Sequence, residues 1–424
     1  TAWLAQHGPD RLEPVFAKVI DNGRMLRNFV QILRSGVVGR KSLGSRPKRL
    51  VQDWLNGRSD GQLLSASVGN DPSLADVLKM VHPKPATPER AAFYAWLIGK
   101  PHDAALLPEA VKALKRFRDD VAAPVPDVPF QLLTALPLRP QHWVAIACQA
   151  PWQMTRMNLN TFARHEVFKV GGMAKRIAER LRDPAAIRRA RVFPYQLLSA
   201  YFMTGEGVPE VVRDALQDAL DVALENVPEL PGQVYVLLDV SGSMNSPVTG
   251  HRKGATSKVR CVDVAALVAA AISAKNPATE ILPFDTQVHA HRLNRRDSVL
   301  TNAQTLAQFG GGGTNCGLPL ATLNQRKAAG DLVVYVSDNE SWADPQRGRG
   351  TETMRQWEAF RQRNPQARLV CIDIQPYGTV QAQTREDVLN VGGFSDAVFE
   401  VLARFAAGQL GGEHWVREIE AVEV

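Results

Sequence analysis

Asp239, Ser241 and Ser243 stand at alternate positions just past the apolar run Val234–Leu238. A run of strand formers between Gly/Pro punctuation and a Ser/Gly loop reads as a strand buried on both faces. Alternation lets the loop that follows aim one carboxylate and two hydroxyls at a single point. Such hard oxygen donors suit magnesium, manganese or calcium rather than zinc. The same spacing also suits a plain strand-to-helix loop with an N-cap serine. Two later segments favour the first reading. Residues 309–315, Phe-Gly-Gly-Gly-Gly-Thr-Asn, form a glycine loop that ends in the hydroxyl of Thr314. Residues 331–340 read as a second buried strand that delivers Asp338 at its carboxyl end. In open α/β sheets ligands bind outside the carboxyl ends of the strands, so Thr314 and Asp338 are expected to join the first three oxygens.

The elements that must position these residues alternate. After the 239–244 loop the pattern predicts an amphipathic, alanine-rich helix over 259–274, a strand over 280–285 and a helix over 297–308. Helices over 315–329 and 351–363, a strand over 368–374 and a helix over 395–407 complete the order. Alternating strands and helices imply a mostly parallel sheet covered on both faces. The insertion His251–Lys258 lies beside the metal loop in sequence. The glycine loop at 310–313 is not followed by Gly-Lys-Ser/Thr, so it is no P-loop and nucleotide hydrolysis is not expected.

Residues 1–229 show little strand-like alternation. Successive short helical patches, 12–33, 47–55, 74–81, 89–98, 109–121, 142–150, 172–181 and 209–225, predict helix pairs stacked like a solenoid, although no repeat period is visible in the residues. Charge divides the chain. From Pro231 onward 19 Lys+Arg face 20 Asp+Glu, a net of −1, so the chain's +7 leaves +8 for the residues before it. Arg24–Arg49 carries eight cations and no acidic residue, and its centre mixes Gly, Ser and Pro with Arg40, Lys41, Arg46, Lys48 and Arg49. Guanidinium forks on a flexible backbone suit phosphate contacts along a nucleic-acid strand, while a charge run is also the ordinary dress of a solvated face. A second basic cluster, Lys175, Arg176, Arg180, Arg182, Arg188, Arg189 and Arg191, tips the reading toward RNA. His82 ends a helical patch stopped by Pro83 and Pro85, where an imidazole ordinarily caps or packs.

At 424 residues, with 45% apolar and 22% charged residues, the chain has the composition of a soluble protein of two or three domains. No apolar stretch is long enough to cross a membrane, and no leader pattern stands at the start, which is Thr1 rather than Met. Cys148, Cys261, Cys316 and Cys371 are scattered without zinc spacing; Cys148 and Cys371 sit in apolar runs. A reduced, cytoplasmic protein is expected.

The set Asp239, Ser241, Ser243, Thr314 and Asp338 resembles the metal-ion-dependent adhesion site of von Willebrand A domains, Asp-x-Ser-x-Ser with a distant Thr and Asp. The resemblance implies binding rather than catalysis. It also implies a divalent metal, Mg2+ above all, whose open coordination position takes an acidic group of a protein partner. The helical half resembles the TROVE module of the Ro ribonucleoprotein autoantigen family. Four segments carry it: Arg27-Asn-Phe-Val through Trp54-Leu55-Asn56; Asp76-Val-Leu-Lys-Met-Val-His-Pro-Lys-Pro85; Met157-Asn-Leu-Asn160; and Ala190-Arg-Val-Phe-Pro-Tyr195. Asn339-Glu-Ser-Trp342 is similar to that family's continuation after the acidic strand end. The chain departs from the family at Ser65–Asn70, which holds no cation where relatives carry a Lys-Tyr-x-x-Arg group. The resemblance implies a HEAT-like helical ring or horseshoe over 1–229, followed by an α/β, Rossmann-like von Willebrand A domain over 230–424. It implies RNA contacts from Arg40, Lys41, Arg46, Lys48, Arg49, Lys79, His82 and Lys84. The implied partners are Y RNA-like RNA, misfolded non-coding RNA with a single-stranded end, and an exoribonuclease such as polynucleotide phosphorylase. Two other readings stand beside it. One is a metal-dependent protein adaptor without RNA. The other, a metal-dependent hydrolase, lacks a base or nucleophile constellation.

Overall fold

The computed structural model describes residues 1–250, 257–294, 296–338, 352–375, 382, 385–394 and 397–409. Most of the 251–258 insertion, and all of 339–342, lie outside the described residues. Thr1–Gln149 packs as one compact unit and the chain from Ala150 as another.

Among the described residues the first unit is built of helices. The predicted patch 12–33 is two of them, Leu12–Val19 and Gly23–Arg34. Asn22 makes the break, its side chain accepting the Met25 N–H at the start of the second helix. Gly23 must stay small, because a Cβ there would stand 2.4 Å from the Cβ of Ala66. Capping boxes at Ser59/Gln62 and Ser73/Asp76 start the helices Asp60–Ala66 and Leu74–Val81. The apolar stripes of these helices, among them Leu26, Phe29, Leu33, Val51, Leu55, Leu63, Val77 and Phe93, close over a dry core.

Links between helix pairs recur along the chain, joining residues 28 to 43 apart. The Trp54 indole donates to the Ile20 carbonyl, 34 residues away; Arg90 donates to the Arg58 carbonyl, 32 away; Tyr94 donates to Asn56, 38 away. In the second unit Arg182 meets Asp218 and Arg188 meets Glu225, 36 and 37 residues on. The helical repeat is therefore written in contacts rather than in a residue pattern.

The second unit contains a five-stranded parallel sheet of order β2-β1-β3-β4-β5. Its strands are β1 Val234–Asp239, β2 Thr279–Phe284, β3 Leu332–Ser337, β4 Arg368–Asp373 and β5 Val388–Gly392. β1 and β3 are buried at every residue, as runs covered on both faces must be. β5 had no sequence signal, being an edge strand buried only at Val388.

The helix Cys261–Lys275 corrects an expectation. Instead of presenting a wet face it is buried at every residue from Cys261 to Ser273. It lies between the sheet and three further helices, Pro194–Met203, Glu210–Ala223 and Val299–Leu306, which pack against it or against one another. Its small alanines allow that close approach on all sides. Helices before residue 230 thus share a core with the sheet, and the Leu230 N–H donates to Asn276 beyond that helix. The change from helix to alternating structure near 230 is not a packing boundary. Cys371 is buried, whereas Cys148, also in an apolar run, is half-exposed. No described helix is long and apolar enough to cross a membrane.

Candidate functional site

Register gathers the acidic residues. β1 ends at Asp239 beside β3, which ends at Ser337, and Ser337 pairs with Asp373 at the end of β4. The Ser337 hydroxyl donates to Asp239 Oδ2 at 2.6 Å, and the Ser241 N–H donates to Oδ1 at 2.9 Å. Ser241 Oγ lies 3.2 Å from Ser243 Oγ. Asp239, Ser241 and Asp338 are all buried, and Ser243 is half-buried. Burial, with the charge of Asp338 adding to it, pushes the Asp239 carboxyl up to about 6 against the hydrogen bonds that favour its ionised form.

The glycine loop docks on the same strand end. Gly242 N–H donates to the Gly312 carbonyl at 2.8 Å and Gly311 N–H to the Val240 carbonyl at 2.9 Å. From β2's end the buried Asp285 accepts the Gly312 N–H at 3.1 Å and lies 3.1 Å from His289 Nε2. Burial works against the Asp285 carboxylate, yet the Gln287 and Gly312 N–H groups and His289 hold it below its usual range. Thr314 follows two residues beyond Gly312 and is buried. Sequence reasoning missed Asp285, Ser337 and Asp373. Each stands at or just past a strand's carboxyl end, which is the one signal that could have found them. Gly310 sits at φ +80°, and a Cβ there would fall 2.1 Å from the Val240 carbonyl oxygen. Gly310→Ala is therefore expected to cost about 1–3 kcal/mol, read as a lower midpoint in urea unfolding, with the loop displaced from the 240–242 turn.

Among the described residues no three His, Cys, Asp or Glu side chains gather closely enough to chelate a metal by themselves. The donors that the sequence names are instead two buried carboxylates, Asp239 and Asp338, and three hydroxyls, Ser241, Ser243 and Thr314, of which Asp239, Ser241 and Ser243 are linked by hydrogen bonds. Buried like charges without a cation are unfavourable, so this donor set fits a hard divalent ion.

The basic run Arg24–Arg49 separates into two kinds of residue. Arg40 is spent inside the fold: its guanidinium donates to the Ala5 carbonyl at 2.8 Å and the Ser42 carbonyl at 2.9 Å. Arg27 similarly holds the Ala66 carbonyl. Arg46 pairs with Asp10 at 3.2 Å and Arg49 with Glu13 at 3.4 Å. The acidic counterweights missing locally arrive from 36 residues away. Arg182 and Arg188 in the second cluster are paired in the same manner. Arg40→Ala is expected to cost about 1–2 kcal/mol of first-unit stability by urea melt while leaving ligand affinity nearly unchanged.

Lys41 and Lys48 behave differently. With Arg34 they line a depression of about 410 Å³ whose floor includes Ser42, Gly44, Ser45 and Met80. None of the three makes an ion pair among the described residues, although Arg34 Nη1 approaches Met80 Sδ at 3.1 Å. Gly44–Ser45 begins the 13-residue helix Ser45–Gly57, which has no side-chain cap, so the Ser45 and Arg46 N–H groups (Pro47 has none) and the positive end of its dipole lie at the same place. Lys48, Gln52 and Asn56 follow at four-residue steps along one face of that helix. Gln52 donates to the Val81 and His82 carbonyls, and Asn56 donates to the Lys84 carbonyl. The exposed side chains of His82 and Lys84 are thereby set along the edge that starts at Lys48, about 12 Å end to end. His82 takes a left-handed conformation as the C-cap of Leu74–Val81, and Lys79 is exposed on that helix.

Residues 233–406 match the family model described as the Ro60 vWA domain. Two curated proteins named RNA-binding protein RO60 are similar. The one from Deinococcus radiodurans is 29% identical over 245 residues, covering 55% of this chain and 45% of its own length. The one from Caenorhabditis elegans is 25% identical over 264 residues, 55% of this chain and 37% of its own length. The chain thus spans less than half the length of these relatives. The crystal structure of the Deinococcus radiodurans Ro (RSR) protein has the same fold, with a TM-score of 0.69 at 23% identity over 95% of this chain and 83% of that one. Residues 233–406 thus match a Ro60-type von Willebrand A domain, and the chain as a whole shares the fold of that Ro protein, helices followed by a parallel sheet.

Proposed function

We propose that this chain is a non-catalytic RNA-binding scaffold of the Ro type. Its substrates in this reading are structured non-coding RNAs, Y RNA-like or misfolded, that offer a single-stranded end. The observation that carries the reading is the convergence of Arg34, Lys41 and Lys48, none of them ion-paired among the described residues, on the uncapped start of a helix. Phosphate is the ligand for which such a place is built: the N–H groups point outward and the cations add charge. The named relatives support RNA as its source. His82 and Lys84 extend the contact along the same helix, and Lys79 adds charge nearby.

The cup at the ends of β1 and β3 holds Mg2+ in this reading, through Asp239, Ser241, Ser243, Thr314 and Asp338. The ion supplies a positive centre at which an acidic protein group docks, and an exoribonuclease is the partner class that would make the scaffold a processing device. Filter binding of a structured RNA with a free tail across a salt series tests the RNA half. Affinity should fall steeply with log salt, by about 0.7 per single-stranded phosphate contacted. A flat response, or no binding, defeats it. Capture of an acidic protein that chelator abolishes, with no RNA bound, would leave the adaptor reading instead.

A further inference from the structure

Asp373 lies outside the five-residue motif, yet it ends β4 directly beside Ser337, one residue before Asp338. It is only 4% exposed. Its Oδ1 is buried with no hydrogen-bond partner, although the backbone around it is fully engaged: the Gly393 N–H donates to the Asp373 carbonyl at 2.7 Å and the Ile374 N–H to the Ser337 carbonyl at 2.8 Å. A buried carboxylate oxygen with nothing to accept costs folding free energy and is kept only where something else uses it. Burial, and then the charge of Asp338, pushes the Asp373 carboxyl up to about 7. Direct three-carboxylate chelation is not the arrangement, because no such cluster forms among the described residues. One water layer is what separates an outer carboxylate from a metal ion.

We propose that Asp373 is an outer-sphere residue of the divalent-cation cup, its Oδ1 accepting a hydrogen bond from a water carried by the ion beside Asp338. This rests on the reading of the cup as a cation site. The geometry gives Asp373 a positioning role: it fixes a water of the ion beside Asp338. An incoming acidic group then competes with this water for the open position. Partners of an ordinary outer-sphere carboxylate typically contribute about 10- to 100-fold in metal affinity.

The test is calorimetric titration of the full chain with Mn2+, together with the electron paramagnetic resonance spectrum of the bound ion. Wild type, Asp373→Asn, Asp373→Ser and Asp239→Asn are compared, with circular dichroism confirming that each folds. Asp373→Asn should bind Mn2+ about 10-fold more weakly, with an altered spectrum. Asp373→Ser, which is shorter but can hold a water, should fall between it and wild type, and Asp239→Asn should not bind. Wild-type affinity and an unchanged spectrum in both Asp373 variants overturn the inference while leaving the cup intact. A wild-type chain that binds no Mn2+ overturns the cup, and this role with it.

Discussion

Lys41→Glu combined with Lys48→Glu should lower affinity for a tailed structured RNA by about 100-fold, near tenfold per reversed cation. The salt slope should become shallower by about 1.4, which is 0.7 for each of two lost phosphate contacts. Arg46→Ala combined with Arg49→Ala, in the same basic run, should change affinity by less than about threefold, because those guanidiniums face Asp10 and Glu13 and lie outside the depression that Lys41 and Lys48 line. Filter binding at two salt concentrations measures both. If the two double variants weaken RNA equally, the whole run is a diffuse electrostatic face and the depression at the helix start has no special role.

A second large effect belongs to the cup. Saturating Mg2+, at about 100 times its dissociation constant, adds about 2.7 kcal/mol to whatever folds around it. That corresponds to a rise of about 5–10 °C in the melting of the sheet-bearing unit. Asp239→Asn should abolish the rise. The metal-free protein should also respond to pH in a definite direction. The Asp239 and Asp373 carboxyls lie at about 6 and about 7 in the fold, above the unfolded value of about 3.9. Between those limits the folded state binds more protons than the unfolded one, so stability falls as pH rises from about 4 to 7. A bound cation removes that penalty, so the Mg2+-induced shift should be larger at pH 7.5 than at pH 5.5. Differential scanning calorimetry with and without chelator reads both slopes. A shift independent of pH would mean that the ion sits elsewhere.

The strand ends that carry Asp239 and Asp338 were legible because they follow from strand order. Apolar runs such as Val234–Leu238 announce themselves, and the residue just past each run is set at the sheet's carboxyl edge by parallel topology alone. Asp285 and Asp373 occupy equivalent places, but nothing in their spacing separates them from ordinary strand ends, and only register puts them beside the others. The cationic face was legible in kind and not in detail. Arg40, Arg46 and Arg49 read as free because their partners, the Ala5 carbonyl, Asp10 and Glu13, stand about 36 residues earlier. Stacking of helix pairs brings such residues together, and no local window contains that information. The helix Cys261–Lys275 was misread for the same reason: its second covering comes from distant helices on both sides in sequence, Pro194–Met203 and Glu210–Ala223 before it and Val299–Leu306 after it.

That covering decides where the molecule can be cut. A protein started at residue 230 would keep all five strands and every proposed metal ligand. It would also strip Pro194–Met203 and Glu210–Ala223 from the apolar surfaces they cover, leaving Ala, Val and Leu side chains in water and the freed fragment prone to self-association. One started at residue 150 would carry its own wrapping. In the course of synthesis, too, the strands emerge after the helices that shield them, so the sheet-bearing unit meets solvent already half dressed.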